Sequence, residues 1–293
     1  MGDRAQPLSQ IMLEAACAIA NAINARALFL CSDSFEDIDL IAPLLEKTDI
    51  VLVTRHSELS VEQKPRVKTV LYAPKIELTR TGQIKIAILM GLAAGVVDGR
   101  DRIVCVAGRP RLQHLDNILV LDLGKEFELL SVNKGANMVG TVRTEVFEGV
   151  LNLAIQLANH GREGKPVGTI FTLGDHEKVM QFSRQLVINP FRGYPEEERN
   201  ILDPNLRETI REFSAIDGSF VIRDDGVVIT AGRHLNAALE EGDLPRGLGS
   251  RHVAAAGITA VTEAIAIAIS ESTGTVRIFK NGAILMDIEK ASR

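Results

Sequence analysis

The stretch Gly247-Leu248-Gly249-Ser250-Arg251-His252-Val253-Ala254-Ala255-Ala256-Gly257 joins two glycines, a hydroxyl, a permanent cation, an imidazole and a run of small residues. Glycines free the backbone to turn tightly. The small residues after them read as the first turns of a buried helix. A helix start presents unpaired N–H groups and the positive end of the dipole, which together favour an anion, in biology most often phosphate. Arg251 adds a forked donor suited to phosphate oxygens. A capped helix with a surface histidine fits the same letters. Arg-His also occurs at Arg55-His56 and Arg233-His234, so only the Gly-x-Gly context sets Arg251-His252 apart.

Outward from this stretch, the second half of the chain reads as mixed α+β. An amphipathic helix is expected where Val146, Phe147, Val150, Leu151, Ala154, Leu157 and Ala158 recur at helical spacing. A strand follows over 167–173, ending at Gly174-Asp175. Asp203-Pro204 has the form of an N-cap with proline at the first helical position. One hairpin turns at Asp224-Asp225-Gly226 and a second at Asn281-Gly282, with a buried strand over 264–269 between them. Asp217-Gly218-Ser219 starts the first of these strands. Its carboxylate suits Mg²⁺ or Mn²⁺, or simply an Asp-Gly turn. Ser270-Glu271-Ser272-Thr273-Gly274 ends the buried strand and reads as a polar site cluster or an ordinary turn. The run Glu196-Glu197-Glu198 suggests an exposed helix start, and Lys165 a solvated loop lysine outside any P-loop spacing.

The first half alternates differently. Helices are expected over 8–24, 39–46 and 81–97, and strands over 27–31, 50–53, 67–72, 103–106 and 118–121. Continuous β-branched strands between helices imply a mostly parallel sheet covered on both faces. The expected fold class is therefore α/β: a mostly parallel α/β sandwich followed by a mixed-sheet α+β domain. The boundaries are 1–123 for the first domain, 124–139 for a junction containing Asn133-Lys134-Gly135-Ala136-Asn137, and 140–293 for the second.

The chain has 293 residues and a net charge of −5, which argues against a nucleic-acid backbone as the main partner. Cys17, Cys31 and Cys105 lie in apolar runs without metal-ligand spacing and read as buried free thiols of a reducing compartment. No charged leader precedes an apolar stretch, and the apolar run 86–97 is too short for a bilayer. The expected place is the cytoplasm, with no membrane partner. No Gly-x-Ser-x-Gly elbow, HExxH or CxxC appears, which removes the common hydrolase and zinc chemistries.

Taken in order, Asp217-Gly218-Ser219, Gly249-Ser250-Arg251-His252-Val253-Ala254-Ala255, Ser270-Glu271-Ser272-Thr273-Gly274 and Asn281-Gly282 resemble the motif series of the diadenylate cyclase (DisA_N, DAC) domain. That family carries Asp-Gly-Ala, Arg-His-Arg in a Gly-Thr-Arg-His-Arg-Ala-Ala context, Ser-Glu-Glu-Thr-Gly and an Asn-Gly hairpin. The stretch from Arg162 to Asp175 is similar to its first strand, and Asn189-Pro190-Phe191 to the loop that follows. The resemblance covers about residues 140–293. The first domain resembles the C-terminal α/β domain of pyruvate kinase, and the pairing is similar to the soluble archaeal diadenylate cyclases.

The resemblance implies that two domains, each holding one ATP, meet face to face in a homo-oligomer. The 3′-hydroxyl of each ATP attacks the α-phosphate of the other, giving cyclic di-AMP and two pyrophosphates. It implies Asp217 as the ligand of Mn²⁺ or Mg²⁺ and the activator of the 3′-hydroxyl. Gly218 and Leu235 would line the adenine pocket. Gly249, Ser250, Arg251 and His252 would hold phosphates, with Ser270 and Glu271 completing that side. Two positions depart from the pattern: Ser219 stands for Ala, and Val253 for the second Arg. The loss of that cation leaves a second implication open, a nucleotide-binding module with weak catalysis or none.

Overall fold

The computed structural model describes residues 5–34, 41–45, 48–55, 67–109, 114–126, 139–237 and 247–289. The chain divides into two compact units, with the break between Met138 and Val139.

In the first unit the described elements are α1 (Ala5–Ala22), β1 (Ala27–Cys31), β2 (Ile50–Thr54), β3 (Thr69–Tyr72), α2 (Arg80–Ala93), β4 (Arg102–Arg109), β5 (His114–Asp122) and the one-turn α3 (Leu123–Glu126). The sheet runs β3-β2-β1-β4-β5. Its first four strands are parallel, and β5 returns antiparallel to β4. Strand alternation explains the two covered faces. Leu28 and Leu30 point into the core shared with Leu13, Ala16 and Cys17 of α1. Phe29 points the other way, against Gly91 of α2, where a Cβ would stand 2.6 Å from the Phe29 ring. Cys17, Cys31 and Cys105 are buried and unpaired, and burial pushes the Cys31 thiol up to about 12. The helix expected over 81–97 ends at Ala93, because Gly95 adopts a left-handed φ of +67°. Of the helix expected over 39–46, the described part 41–45 forms turns, and the rest lies outside the described residues. So does the junction stretch from Asn133 to Asn137.

The second unit contains α4 (Thr144–His160), β6 (Ile170–Leu173), α5 (His176–Gln181), β7 (Ser183–Gln185), α6 (Pro204–Phe213), β8 (Ser219–Ile222), β9 (Val228–Leu235), α7 (Ser250–Val261), β10 (Ile265–Ile269), β11 (Val276–Lys280) and β12 (Ala283–Ile288). Its sheet runs β12-β11-β10-β6-β8-β9-β7, with β6 and β8 parallel and the other pairs antiparallel. Asp203 caps α6 by accepting from the Asn205 N–H at 2.9 Å, with Pro204 next. Asn281 (φ 51°) and Gly282 (φ 81°) make the tight turn between β11 and β12. The run from Glu196 forms a 3₁₀ turn over Glu197–Arg199 rather than an α-helix start, and Glu196 pairs with Arg223.

Strand β10 explains where α7 sits. Its sequence alternates Ile-Ala-Ile-Ala-Ile. Ala266 and Ala268 face Ala255, Ala256 and Ile258 of α7. The bulky isoleucines take the opposite face, where α4 also packs on this strand. Small residues on both surfaces bring the helix close to the sheet. Gly257 takes this furthest: a Cβ there would run into the Ala237 carbonyl. Helix α7 is thus held rigidly, with its first turn at the strand ends.

Candidate functional site: a cavity at the start of α7

The first turn of α7 opens onto a cavity of about 450 Å³. One wall is Gly247 to His252. The other is the end of β10 and the following loop, Ile269 to Thr273, with Arg277 of β11. Gly249 is the N-cap and offers no side-chain cap, so the first N–H groups of the helix keep their capacity for an external acceptor. The loop opposite is tied down: Ser270 N–H donates to the Thr275 carbonyl at 2.9 Å, and Gly274 N–H to the Ser270 carbonyl at 2.8 Å. Ser270 and Glu271 are presented from this fixed turn.

Arg251 crosses the cavity to donate to Glu271 Oε2 at 3.1 Å, and its other nitrogen lies 4.0 Å from Asp217 Oδ1. Gly168 makes room for it, since a Cβ there would stand 2.6 Å from Arg251 Nη1. Asp217 stands beside the cavity, with its side chain 81% exposed and Oδ1 accepting from Gly218 N–H at 3.1 Å. Gly218 has φ +107°, and a Cβ would lie 2.7 to 2.9 Å from the Gly232 and Arg233 backbone of β9. Only glycine lets the Asp217 turn sit this close to the strand.

His252 is 4% exposed. Its Nε2 lies 3.0 Å from Arg277 Nη1. An arginine can only donate, so Nε2 accepts and the proton resides on Nδ1. Burial first, then the charges of Arg277 and Arg251, pulls its pKa down to about 4, and the ring is neutral at physiological pH. Nδ1 is buried with no partner among the described residues.

The structure therefore brings together Gly249, Ser250, Arg251, His252, Ser270 and Glu271 around the cavity, whereas Asp217 and Gly218 do not line it and Asp217 stands beside it, 4.0 Å from Arg251. Leu235 is placed elsewhere, buried in the core behind α7 with Val179, Ala255 and Phe279. Val253 is 42% exposed and does not line the cavity. Arg277 is the residue that sequence reasoning missed. Its signal was a cation inside an apolar strand, Val276-Arg277-Ile278-Phe279. Among the described residues no cluster of three or more acidic, His or Cys side chains could hold a metal ion alone. A single carboxylate still suits Mg²⁺ or Mn²⁺, which commonly bind through one or two carboxylates plus substrate phosphates.

An uncapped helix start with two arginines and a neutral histidine gives this α+β domain a cavity suited to an anion. Residues 156–284 match the model of the family described as "DisA bacterial checkpoint controller nucleotide-binding", and residues 8–130 match "Probable sensor domain DacZ_P". The chain is 34% identical to a diadenylate cyclase of Haloferax volcanii over 253 residues, 83% of this chain and 87% of that protein. It is 37% identical to a diadenylate cyclase of Methanocaldococcus jannaschii over 209 residues, 70% of this chain and 66% of that protein. Among solved structures it is similar to DacA from Staphylococcus aureus at 19% identity and a TM-score of 0.33, covering 50% of this chain and 87% of that one. The chain belongs to the diadenylate cyclase family. The family match for the first domain is to a sensor domain rather than to the C-terminal domain of pyruvate kinase. Among the described residues no helix is long and apolar enough to cross a membrane.

Proposed function

We propose that the protein condenses two ATP into cyclic di-AMP and two pyrophosphates. The observation that carries the reading is the convergence of the α7 start, Arg251, His252 and Ser270-Glu271 on one cavity, with Asp217 beside it. In each half-reaction a 3′-oxygen forms a bond to the α-phosphorus of the other ATP. The bond from that phosphorus to the pyrophosphate oxygen breaks, and the 3′-proton leaves to the carboxylate of Asp217 or to water. Two such steps close the ring. Each domain supplies one ATP, so two copies meet face to face in a homo-oligomer.

The chain's own groups do the positioning. The first-turn N–H groups of α7 and the Arg251 fork receive phosphate oxygens, and such preorganised donors are the main source of rate in phosphoryl chemistry. Neutral His252 offers hydrogen bonding without adding charge. Ser250 and Ser270 supply hydroxyls on facing walls. Gly218 lets the Asp217 turn approach β9 closely. A Mn²⁺ or Mg²⁺ held by Asp217 would neutralise charge on the triphosphate. The first domain serves as a sensor or an assembly element, and its likeness to pyruvate kinase is one of α/β pattern. ATP as substrate and three unpaired thiols fit the cytoplasm.

The test is purified protein with ATP and Mn²⁺ or Mg²⁺, read by mass spectrometry for cyclic di-AMP. Product is expected, and Asp217→Asn should abolish it while leaving the melting temperature nearly unchanged, because Asp217 is so exposed. Folded protein that makes no product at any metal or protein concentration rejects the reading. Val253 favours one alternative, a binding module: ATP would then raise the melting temperature without turnover.

A further inference from the structure

Val253, one of the two residues that depart from the family motif, leaves α7 with one arginine at the cavity. A second arginine reaches the same cavity from a different element. Arg277 is paired in register with Ala268, whose side chain belongs to the face covered by α7. Phe279, two residues on, lies on that same face with its ring 6.1 Å from His252. The small Ala268 leaves space beside it for the long Arg277 side chain, which lines the cavity and bonds His252 Nε2 at 3.0 Å. That bond uses one of the five donors of the guanidinium. Within the cavity, Glu271 pairs with Arg251 at 3.1 Å.

We propose that Arg277 is a second phosphate-binding residue of the nucleotide pocket, and that it fixes His252 as the neutral Nδ1–H tautomer at the same time. The inference rests on the cyclase reading of this cavity and assigns it a ligand group: the triphosphate chain, contacted from the sheet side by Arg277 and from the helix side by Arg251. A fork in this place can hold two phosphate oxygens while the donor on Nε2 keeps the imidazole from accepting a proton there.

The experiment compares wild type with Arg277→Gln and Arg277→Lys. Affinity is measured by calorimetry for inorganic pyrophosphate and for adenosine, beside KM and kcat for ATP. Charge-assisted hydrogen bonds lost at one residue predict a roughly 10- to 100-fold weaker pyrophosphate affinity in Arg277→Gln. Adenosine binding should stay within about twofold of wild type, because the lost groups face phosphate only. Equal losses for both ligands would mean a structural role and would overturn the proposal, as would unchanged pyrophosphate affinity. If Arg277→Gln does not fold, Arg277→Lys is read alone. It keeps the charge and loses the fork, so a several-fold pyrophosphate loss supports the proposal and none overturns it. Selective pyrophosphate loss in a protein that makes no cyclic di-AMP would sink the cyclase reading and leave the Arg277 assignment standing.

Discussion

Replacing Gly218 by alanine tests whether the Asp217 turn is positioned by backbone contact. Two costs arise. The first is conformational, since φ +107° lies where side chains are rarely tolerated, a penalty of about 1–2 kcal/mol. The second is steric. The new Cβ would stand 2.7 Å from Arg233 N, 2.8 Å from Gly232 C and 2.9 Å from Arg233 O, all backbone atoms of a buried strand. Relief requires a shift of roughly 0.5 Å or more, and overpacking of this kind costs about 1–3 kcal/mol. Against these stands the stiffening of the unfolded chain, about 0.4–1 kcal/mol in favour of alanine. The net loss is about 1–4.6 kcal/mol, which for a unit of this size lowers the melting temperature by roughly 2–18 °C. Gly164→Ala supplies the control. Its φ is +78°, yet nothing lies within 4 Å of the added carbon, so only the conformational cost applies. Turnover is then compared well below both melting temperatures. Gly218→Ala moves the Asp217 carboxylate, and displacement approaching 1 Å at a reacting group can cost on the order of 100-fold. Gly164→Ala should match wild type in rate. Equal melting temperatures for the two variants, together with full turnover in Gly218→Ala, would refute the close approach of Asp217-Gly218 to β9.

Three further outcomes follow from particular contacts. His252 stays neutral in the folded protein down to about pH 4 but titrates near pH 6.5 when unfolded. Its contribution is therefore complete above pH 6.5 and declines by roughly 3 kcal/mol as the pH falls toward 4; melting temperatures of wild type and His252→Gln from pH 7.5 to 4.5 should converge at the acid end, and parallel curves would contradict the burial. Asp203→Ala removes the α6 cap and should cost about 1 kcal/mol, a few degrees in melting temperature, with no change in rate. Metal-free ATP should bind more tightly to Asp217→Asn than to wild type, since one carboxylate beside Arg251 loses its charge, while stimulation by Mn²⁺ disappears; calorimetry with and without chelator would expose the opposite order.

The parts of the fold that the residues announce are those with strong local chemistry. Asn281-Gly282 dictates a tight hairpin, Asp203-Pro204 a helix start, and the apolar runs of β1, β2 and β4 a buried sheet. Strand β7 was not legible, because Ser183-Arg184-Gln185 is a short polar edge with no alternation to betray it. The one-turn extent of α5 was equally silent, since six residues cannot show a helical period. For the site, Gly249 to His252 and Ser270-Glu271 could be named from sequence, because helix starts and strand-end turns have local signatures. Arg277 could not, since its place depends on the β10–β11 register, which sets Arg277 opposite Ala268 and under the first turn of α7. Leu235 was named only through the family resemblance; its place at the end of β9 and its burial behind α7 are set by packing.

The charges around Arg251 give the cavity its logic. The guanidinium donates to Glu271 and lies 4.0 Å from Asp217, so two carboxylates flank one cation. Arg277 adds a second cation, and His252 adds none because it is neutral. Two positive and two negative groups thus stand in or beside the cavity. A triphosphate alone would meet both carboxylates as well as both arginines. A divalent cation held by Asp217, as proposed, would remove one source of repulsion and let Arg251 turn from carboxylate to phosphate. On the proposed function, metal and nucleotide would then favour one another through Arg251. The same arrangement explains why arginine rather than lysine suits position 251. Its planar fork can hold Glu271 with one arm and point the other toward Asp217, and that geometry is what a point charge lacks.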